Sequence, residues 1–204
     1  MNARVRQRQA TQASILKAAL VEFSGKGFDG ASTREIAARA GVHHALIKYH
    51  FKSKDLLWRA AVGYLFDREA ELVIPPDMDD PAFADPKAYA REVLRRRTRY
   101  WAANPEHVRL IVQESCRESE RLAWMVETHM SRWASSTRYF AKAMQANGLA
   151  PADAPASSIG YILAGATQLF FAVAPQARLL WGVDPTDPAV IEAHVETLVQ
   201  MLLP

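Results

Sequence analysis

The amino-acid sequence predicts an all-α protein built from an N-terminal helix-turn-helix and a larger helical domain. Apolar residues recur at spacings of three and four along most of the chain, which is the period of amphipathic helices. No alternating run is long enough to indicate a strand, and glycine and proline fall mainly between the helical segments. These three observations leave no sheet for the helices to pack on.

The first predicted helix covers residues 11–23 and ends in the glycine-rich segment 24–27. Three arginines precede it, Arg4, Arg6 and Arg8, and we expect them to form a flexible basic arm. The helix would bury a stripe made of Ile15, Leu16, Ala19, Leu20 and Phe23.

Three further helices follow at close spacing. Ser32 and Glu35 form a capping-box pattern that opens the second helix, and Gly41 favours its end at Ala40. The third helix is predicted over residues 43–50, and the fourth begins near residue 54. Two or three residues separate the second and third helices, which is typical of a helix-turn-helix.

Residues 74–86 are rich in proline and aspartate and predict a loop. Long helices are then expected at 86–102, 105–116, 119–146, 154–173 and 187–202. We place the domain boundary so that residues 1–53 form the helix-turn-helix domain and residues 54–204 form the second domain.

Charge is distributed unevenly along the chain. Residues 1–60 hold 11 Lys or Arg against four Asp or Glu, whereas the rest is net acidic although the whole chain is +3. This asymmetry indicates a basic module for a polyanion such as DNA, with a solvated cluster of charge as the alternative.

The third helix presents the candidate DNA-binding face. Burial of Ile36, Ala37, Val42, Ile47 and Phe51 would leave the opposite face free to enter a major groove. The start of the second helix offers free amides for a phosphate. The predicted DNA-binding residues are Thr33, Arg34, His43, His44, Ala45, Lys48, Tyr49, Lys52 and Lys54. The alternative is a buried helical hairpin with solvated lysines.

Residues 10–60 resemble the tetracycline-repressor (TetR) family of transcriptional regulators. The resemblance rests on Gly27-Phe28, on Ser32 to Ala37, on Ala40-Gly41-Val42 and on the segment Tyr49-His50-Phe51-Lys52-Ser53-Lys54. It implies a homodimeric repressor, a partly palindromic operator and a small-molecule effector that releases the DNA. Lys48 and His43 depart from the family pattern, which favours an aromatic residue and a Ser or Thr cap there.

The second domain offers candidates for an effector pocket. Apolar stripes with a few polar groups predict a pocket for an apolar or aromatic effector, and the alternative is that they are core. The predicted ligand-binding residues are Leu94, Thr98, Trp101, Met125, His129 and Trp133.

The last two predicted helices carry the candidate dimer interface, and Gly160 would permit close approach of another helix. The alternative is that their apolar stripes complete the core of one chain. The predicted interface residues are Ile162, Ala166, Leu169, Phe170, Val195 and Leu198.

The arginine run 95–99 is expected to be solvated or paired with Glu114, Glu118 and Glu120.

Enzymatic signatures are absent from the sequence. Residues 25–30 spell GxGxxG, but they follow a helix instead of a strand, so a dinucleotide site is not expected. We expect no bound metal, because His43, His44 and His50 point to different sides of a short helix. We also expect no cofactor. We therefore expect a protein that is not an enzyme, with a non-specific helical scaffold protein as the alternative function.

The compartment is inferred from two features. No long uncharged apolar segment is evident, so a membrane span is not expected. No secretory leader is evident either, so secretion is not expected. Cys116 is the single cysteine and has no internal disulfide partner. A reducing cytoplasm is the expected location.

Overall fold

The computed structural model describes residues 3–72 and 85–203, and in these ranges every regular element is helical. The all-α prediction is confirmed. Most of the predicted loop 74–86 lies outside the described residues. The helices are α1 Ala3–Gly30, α2 Thr33–Ala40, α3 His44–Phe51, α4 Lys54–Leu72, α5 Pro86–Ala103, α6 Pro105–Ser115, α7 Glu120–Met125, a π-helical turn Val126–Met130, α8 Ser131–Ala146, α9 Ala156–Ala172, α10 Ala174–Trp181 and α11 Pro188–Leu202.

Three elements differ from the prediction. Helix α1 begins at Ala3, so Arg4, Arg6 and Arg8 belong to a helix and the expected flexible arm is wrong. Helix α10 lies between the predicted helices 154–173 and 187–202, where no helix is predicted; its Pro175 fits the first turn of a helix, where the missing N–H is not needed. The predicted helix 119–146 contains a π-helical turn that no sequence pattern indicated.

The chain divides into two compact units, Met1–Arg68 with Arg109–Met125 and Glu69–Val108 with Val126–Pro204. We call them the first and second units. The predicted division into domains 1–53 and 54–204 is a division by role and stays a prediction.

An aromatic cluster supports the first unit. Phe28 stacks near Phe23 and meets the edge of Trp58, with ring centroids 6.1 and 6.3 Å apart. The Arg121 guanidinium lies 4.2 Å from the centre of the Phe28 ring, and Trp58 approaches Trp124 at 5.7 Å. Because burial of large aromatic rings and a cation over their faces both stabilise packing, this cluster holds α1, α4 and α7 together.

The second unit packs α5 against α9 and α11, and α8 against α9. Its core cluster consists of Ala90, Leu94, Met144, Leu198, Val199 and Leu203. Arg95 pairs with Glu196 at 2.9 Å, and Arg99 pairs with Glu192 at 2.6 Å. The expected pairing of the arginine run with Glu114, Glu118 and Glu120 is therefore wrong, because α11 supplies the nearest carboxylates.

Gly160 permits a close approach, but to a helix of its own chain. A Cβ at this position would lie 2.5 Å from the Thr137 side chain and 3.8 Å from Trp133, both on α8. Gly165, by contrast, faces open space. The close packing predicted for Gly160 thus serves the second unit itself.

Among the described residues, no single helix is long and apolar enough to cross a membrane. Helices α9 and α10 meet those criteria of length and composition only as a pair, and the pair is bent by 74°.

Candidate nucleic-acid interface

Helices α1, α2 and α3 form a small scaffold that fixes the direction of α3. Ile15 from α1 and Ile36 from α2 are fully buried, and Ile47 from α3 is 3% exposed. The Ser14 hydroxyl donates to the Ala40 carbonyl at 3.1 Å and ties α1 to the end of α2. Phe51 completes the buried face, so the predicted apolar contacts hold except that Val42 is only half-buried.

The turn between α2 and α3 depends on Gly41. This residue has φ 67° and ψ 32°, a left-handed conformation that residues with a Cβ adopt at a cost. The Gly41 and Val42 amides donate to the Ala38 and Ala37 carbonyls at 3.2 and 3.0 Å, which closes the end of α2. The connection is consequently short, and α3 begins three residues after Gly41.

His43 caps α3 despite being an unusual residue for that role. Its Nδ1 accepts a hydrogen bond from the Ala45 amide at 3.3 Å.

A capping box does not form at α2, because the Ser32 side chain makes no cap and the Ser32 amide donates to Glu22 Oε1 at 3.3 Å. Glu35 instead pairs with Lys26.

The outer face of α3 is exposed along its length. His44, Ala45, Lys48 and Tyr49 are all exposed, Tyr49 to 68%. We call these four residues the α3 face. It carries a cation, two hydrogen-bonding rings and a methyl group, which are the kinds of groups that read base edges and grip phosphates.

His44 is also held in place from α2. Its Nε2 lies 3.0 Å from the Thr33 hydroxyl, so the first residues of the two helices are joined. Arg34, beside Thr33, is exposed. These contacts bring the start of α2 to the start of the α3 face, as the predicted site requires.

The two lysines after α3 differ. Lys52 is exposed and ends α3 with φ 63°. The Lys54 ammonium donates to the Asp29 carbonyl at 3.1 Å and lies 5.0 Å from the Phe28 ring, so it is partly engaged within the first unit. The phosphate-binding role predicted for Lys54 would require it to leave or share these contacts.

Other charges of the first unit are used internally. Lys26 pairs with the buried Glu22 at 3.0 Å. Burial raises the pKa of Glu22, but hydrogen bonds from Lys26 and from the Ser32 amide outweigh it, and the pKa lies below its usual value. Glu22 therefore stays ionised at neutral pH, and Lys26 is not available to the α3 face.

The histidines do not form a metal site in the described part of the chain. The rings of His43 and His44 contact different partners. His50 is half-buried, and burial together with the nearby Arg8 lowers its pKa, so it is neutral at pH 7. His50 thus adds no charge at the end of α3 in the unbound protein.

The predicted effector residues are only partly brought together. Leu94, Thr98 and Trp101 share the buried face of α5, and the Thr98 hydroxyl donates to the Leu94 carbonyl at 2.8 Å. His129 lies in the π-helical turn and Trp133 in α8, both in the second unit, whereas Met125 belongs to the first unit. Their ligand-binding role stays a prediction.

The predicted dimer residues fall into two groups. Ile162 and Leu169 are 60% and 56% exposed, and Ala166 and Phe170 are half-buried. Val195 and Leu198 are buried in the core of the second unit, so the structure assigns them to that core and not to a surface. The sequence alone missed exposed apolar residues in and near these helices, namely Tyr161, Leu179, Leu180, Trp181 and Met201.

Comparison with known proteins identifies the N-terminal part. Residues 15–61 match the family described as bacterial regulatory proteins, tetR family. The match runs from α1 into α4 and includes the whole α3 face. The resemblance noted in the sequence is thereby confirmed for this domain.

Curated relatives match over parts of their length. The chain is 30% identical over 114 residues to the HTH-type transcriptional repressor NicS of Pseudomonas putida, covering 55% of this chain and 51% of that protein. It is 37% identical over 89 residues to the HTH-type transcriptional dual regulator CecR of Shigella flexneri, covering 42% and 40%. The matches therefore span about half, or less, of these relatives.

Solved structures match over nearly the whole chain. AibR in complex with isovaleryl coenzyme A and operator DNA has a TM-score of 0.73 at 19% identity, covering 95% of this chain and 98% of that chain. HlyIIR, a hemolysin II transcriptional regulator, has a TM-score of 0.67 at 21% identity, covering 97% and 99%. At these identities the likeness establishes a shared fold.

Proposed function

We propose that this chain, which carries the N-terminal domain of the tetR family of bacterial regulatory proteins, is a DNA-binding transcriptional regulator. The observation that carries the proposal is the exposed α3 face on a buried three-helix scaffold. A short helix held in this way fits the major groove of B-DNA. The excess of Lys and Arg over Asp and Glu in residues 1–60 supports attraction to phosphates.

Each predicted contact residue has a role in this proposal. His44, Ala45, Lys48 and Tyr49 meet the groove, and His43 holds the first turn of the helix that carries them. Lys52 and the start of α2, with Thr33 and Arg34, bind the phosphates on the two sides of the groove. Lys54 adds a further cation once it is shared with its internal contacts. The relatives named as transcriptional repressor and dual regulator support this assignment.

The functional particle is a homodimer in this proposal. Ile162 and Leu169 expose apolar surface beside the open Gly165, and α10 exposes Leu179 and Trp181. Apolar side chains gathered in this number on neighbouring helices indicate an interface. A two-fold dimer would present two α3 faces about 34–36 Å apart, one turn of DNA, and would read a partly palindromic operator.

A small-molecule effector completes the proposal, and the protein acts as a repressor that the effector releases. An effector that binds the released form more tightly must weaken DNA binding, because the coupling between two sites is reciprocal. The structure of AibR, which shares the fold, contains both isovaleryl coenzyme A and operator DNA. This supports the combination of a ligand site with DNA binding in a protein of this fold.

The proposal is tested by fluorescence anisotropy on the DNA upstream of the protein's own gene, with shuffled DNA of equal composition as the competitor. We expect tight binding to the upstream fragment that weakens steeply as salt rises. Lys48→Ala should weaken specific binding about fivefold or more, since contacts that read a base contribute on the order of 1–3 kcal/mol.

Lys142→Ala is the matched control, because Lys142 is an exposed lysine on α8 of the second unit. It should leave the affinity unchanged. Equal affinity for both DNAs would favour the non-specific scaffold instead, and no binding by folded protein at low salt would rule out the regulator.

A further inference from the structure

Helix α5 carries a run of arginines whose members have different surroundings. Arg95 and Arg99 pair with Glu196 and Glu192 of α11, and Arg96 pairs with Glu92 on its own helix. Arg97 has no such contact: in the ranges that the structure describes, no carboxylate lies within 4.0 Å of its guanidinium. It is the exception that needs an explanation.

Arg97 projects from the buried face of α5. A helix turns by 100° per residue, so positions 90, 94, 97 and 101 share one side. Ala90, Leu94 and Trp101 at these positions are 2%, 5% and 1% exposed. An arginine on an apolar face of this kind is unfavourable unless an anion meets it, because its charge is removed from water.

The Arg97 side chain is half-buried. The side chain keeps some accessible surface, yet burial lowers the pKa of Arg97, and only the charge of Glu69, beyond ion-pair distance, raises it. Burial likewise raises the pKa of the Glu69 carboxyl.

A second hydrogen-bond donor stands next to Arg97. The indole Nε1 of Trp101 is buried and has no acceptor among the described residues. Residues four apart on a helix are neighbours, so Arg97 and Trp101 lie on adjacent turns of α5. The nearby Thr98 hydroxyl donates to the Leu94 carbonyl and is not a partner of the indole N–H.

We propose that Arg97 and the Nε1 of Trp101 bind the carboxylate of the effector, which is a small monocarboxylic acid with an apolar body. The proposal rests on the regulator function and extends it to the chemical class of the ligand. A guanidinium donates two parallel hydrogen bonds to a planar carboxylate, and a buried N–H adds a third. Leu94 and the Trp101 ring provide apolar surface beside the head group.

Glu69 sets the charge that the site accepts. The charge of its carboxylate raises the pKa of Arg97, so the two groups are close enough to interact electrostatically. The same carboxylate would repel a second negative charge on the ligand. A singly charged acid suits the site better than a phosphate monoester for this reason. Removal of the Glu69 charge should tighten binding of the acid.

The probes are a panel of aliphatic and aromatic monocarboxylates of increasing length, each with its neutral primary amide. Binding is measured by calorimetry on the intact protein without DNA. At least one acid should bind about tenfold or more tightly than its amide, as expected for a charge-assisted hydrogen bond. Failure of every acid to exceed its amide would overturn the proposal.

Three variants test the residues. Arg97→Gln should abolish the preference for the acid. The ligand-free variant should melt at an equal or higher temperature, since the change removes a half-buried charge that has no carboxylate within 4.0 Å among the described residues. Glu69→Gln should tighten binding of the preferred acid, and Arg96→Gln is the control that should change nothing. A preference that survives in Arg97→Gln, or weaker binding in Glu69→Gln, would contradict the assignment.

The same acid is then added to the protein on its operator. If the protein binds the acid but does not bind DNA specifically, the acid site is supported and the regulator function is contradicted. If the protein binds DNA specifically but binds no acid, the regulator function is supported and the acid site is contradicted.

Discussion

Lys52 is the single non-glycine residue with positive φ in the described part of the chain, and it stands at the end of the α3 face. Its φ of 63° is unfavourable for any residue with a Cβ. We predict that Lys52→Gly stabilises the protein by about 1 kcal/mol because glycine adopts this φ without strain. The same change should weaken DNA binding and reduce its salt dependence, because one phosphate contact is lost.

Urea denaturation and anisotropy measure the two effects separately. Lys142→Gly is the control: it removes a lysine from the interior of α8, so it should lower the free energy of unfolding by about 1 kcal/mol and leave DNA affinity unchanged. Stability and affinity falling together in Lys52→Gly would contradict the assignment.

Gly41 and Gly25 form a second test at the level of single residues. A Cβ would meet nothing within 4 Å at either position, so only the backbone decides the outcome. Gly41 is left-handed and Gly25 lies within α1 without a positive φ. Gly41→Ala should lower the free energy of unfolding by about 1 kcal/mol, whereas Gly25→Ala should raise it by up to about 1 kcal/mol.

Thermal and urea unfolding of both variants check this prediction. Destabilisation of equal size at both positions would show that contacts, and not the backbone, determine the role of Gly41.

At the scale of elements, the ion pairs between α5 and α11 make stability depend on pH. Hydrogen bonds from Arg99 and Arg95 lower the pKa of Glu192 and Glu196 below the ordinary 4.5. A carboxyl with a lowered pKa in the folded state stabilises the protein above its ordinary pKa, and this contribution is lost as pH falls through the lowered value.

We therefore predict that a Glu192→Gln Glu196→Gln variant melts at a lower temperature than the unmodified protein at neutral pH. The difference should shrink as pH falls below 4.5, because the protonated carboxyls then resemble glutamine. Melting followed by circular dichroism across a pH series measures it. A difference that does not change with pH would mean that the pairs do not act through charge.

The same elements mark where sequence reasoning succeeded and where it failed. The bounds of α2 and the left-handed Gly41 follow from local patterns, since a helix end depends on neighbouring residues. The partners of Arg95 and Arg99 lie about a hundred positions away on α11, and no local pattern encodes such a contact. The capping-box pattern predicts a hydrogen bond from the Ser32 amide to Glu35. The amide donates to Glu22 instead, because α1 lies beside α2.

At the scale of the whole molecule, the exposed apolar surface of α9 and α10 predicts association. Ile162→Glu combined with Leu169→Glu should convert a dimer into a monomer of unchanged helical content, because two carboxylates would be buried without partners. Sedimentation velocity measures the mass. Val112→Glu is the control, since Val112 is 49% exposed but lies on α6 in the first unit.

A monomeric unmodified protein, or a dimer that resists both glutamates, would remove α9 from the interface. The sequence identified Ile162 and Leu169 from their apolar stripe, but it could not tell them from Val195 and Leu198. All four are apolar residues at helical spacing, and only the packing of α11 on α5 shows that the latter pair is core.

The central claim is that the α3 face reads a specific DNA sequence, in two copies. In vitro selection of bound duplexes from a random library tests it most directly, with the intact protein at physiological salt. The account predicts one enriched motif made of two inverted half-sites whose centres lie about 10–10.5 base pairs, or a multiple of that, apart. DNA retained without any enriched sequence would contradict the claim and leave a basic helical protein that binds DNA only through its charge.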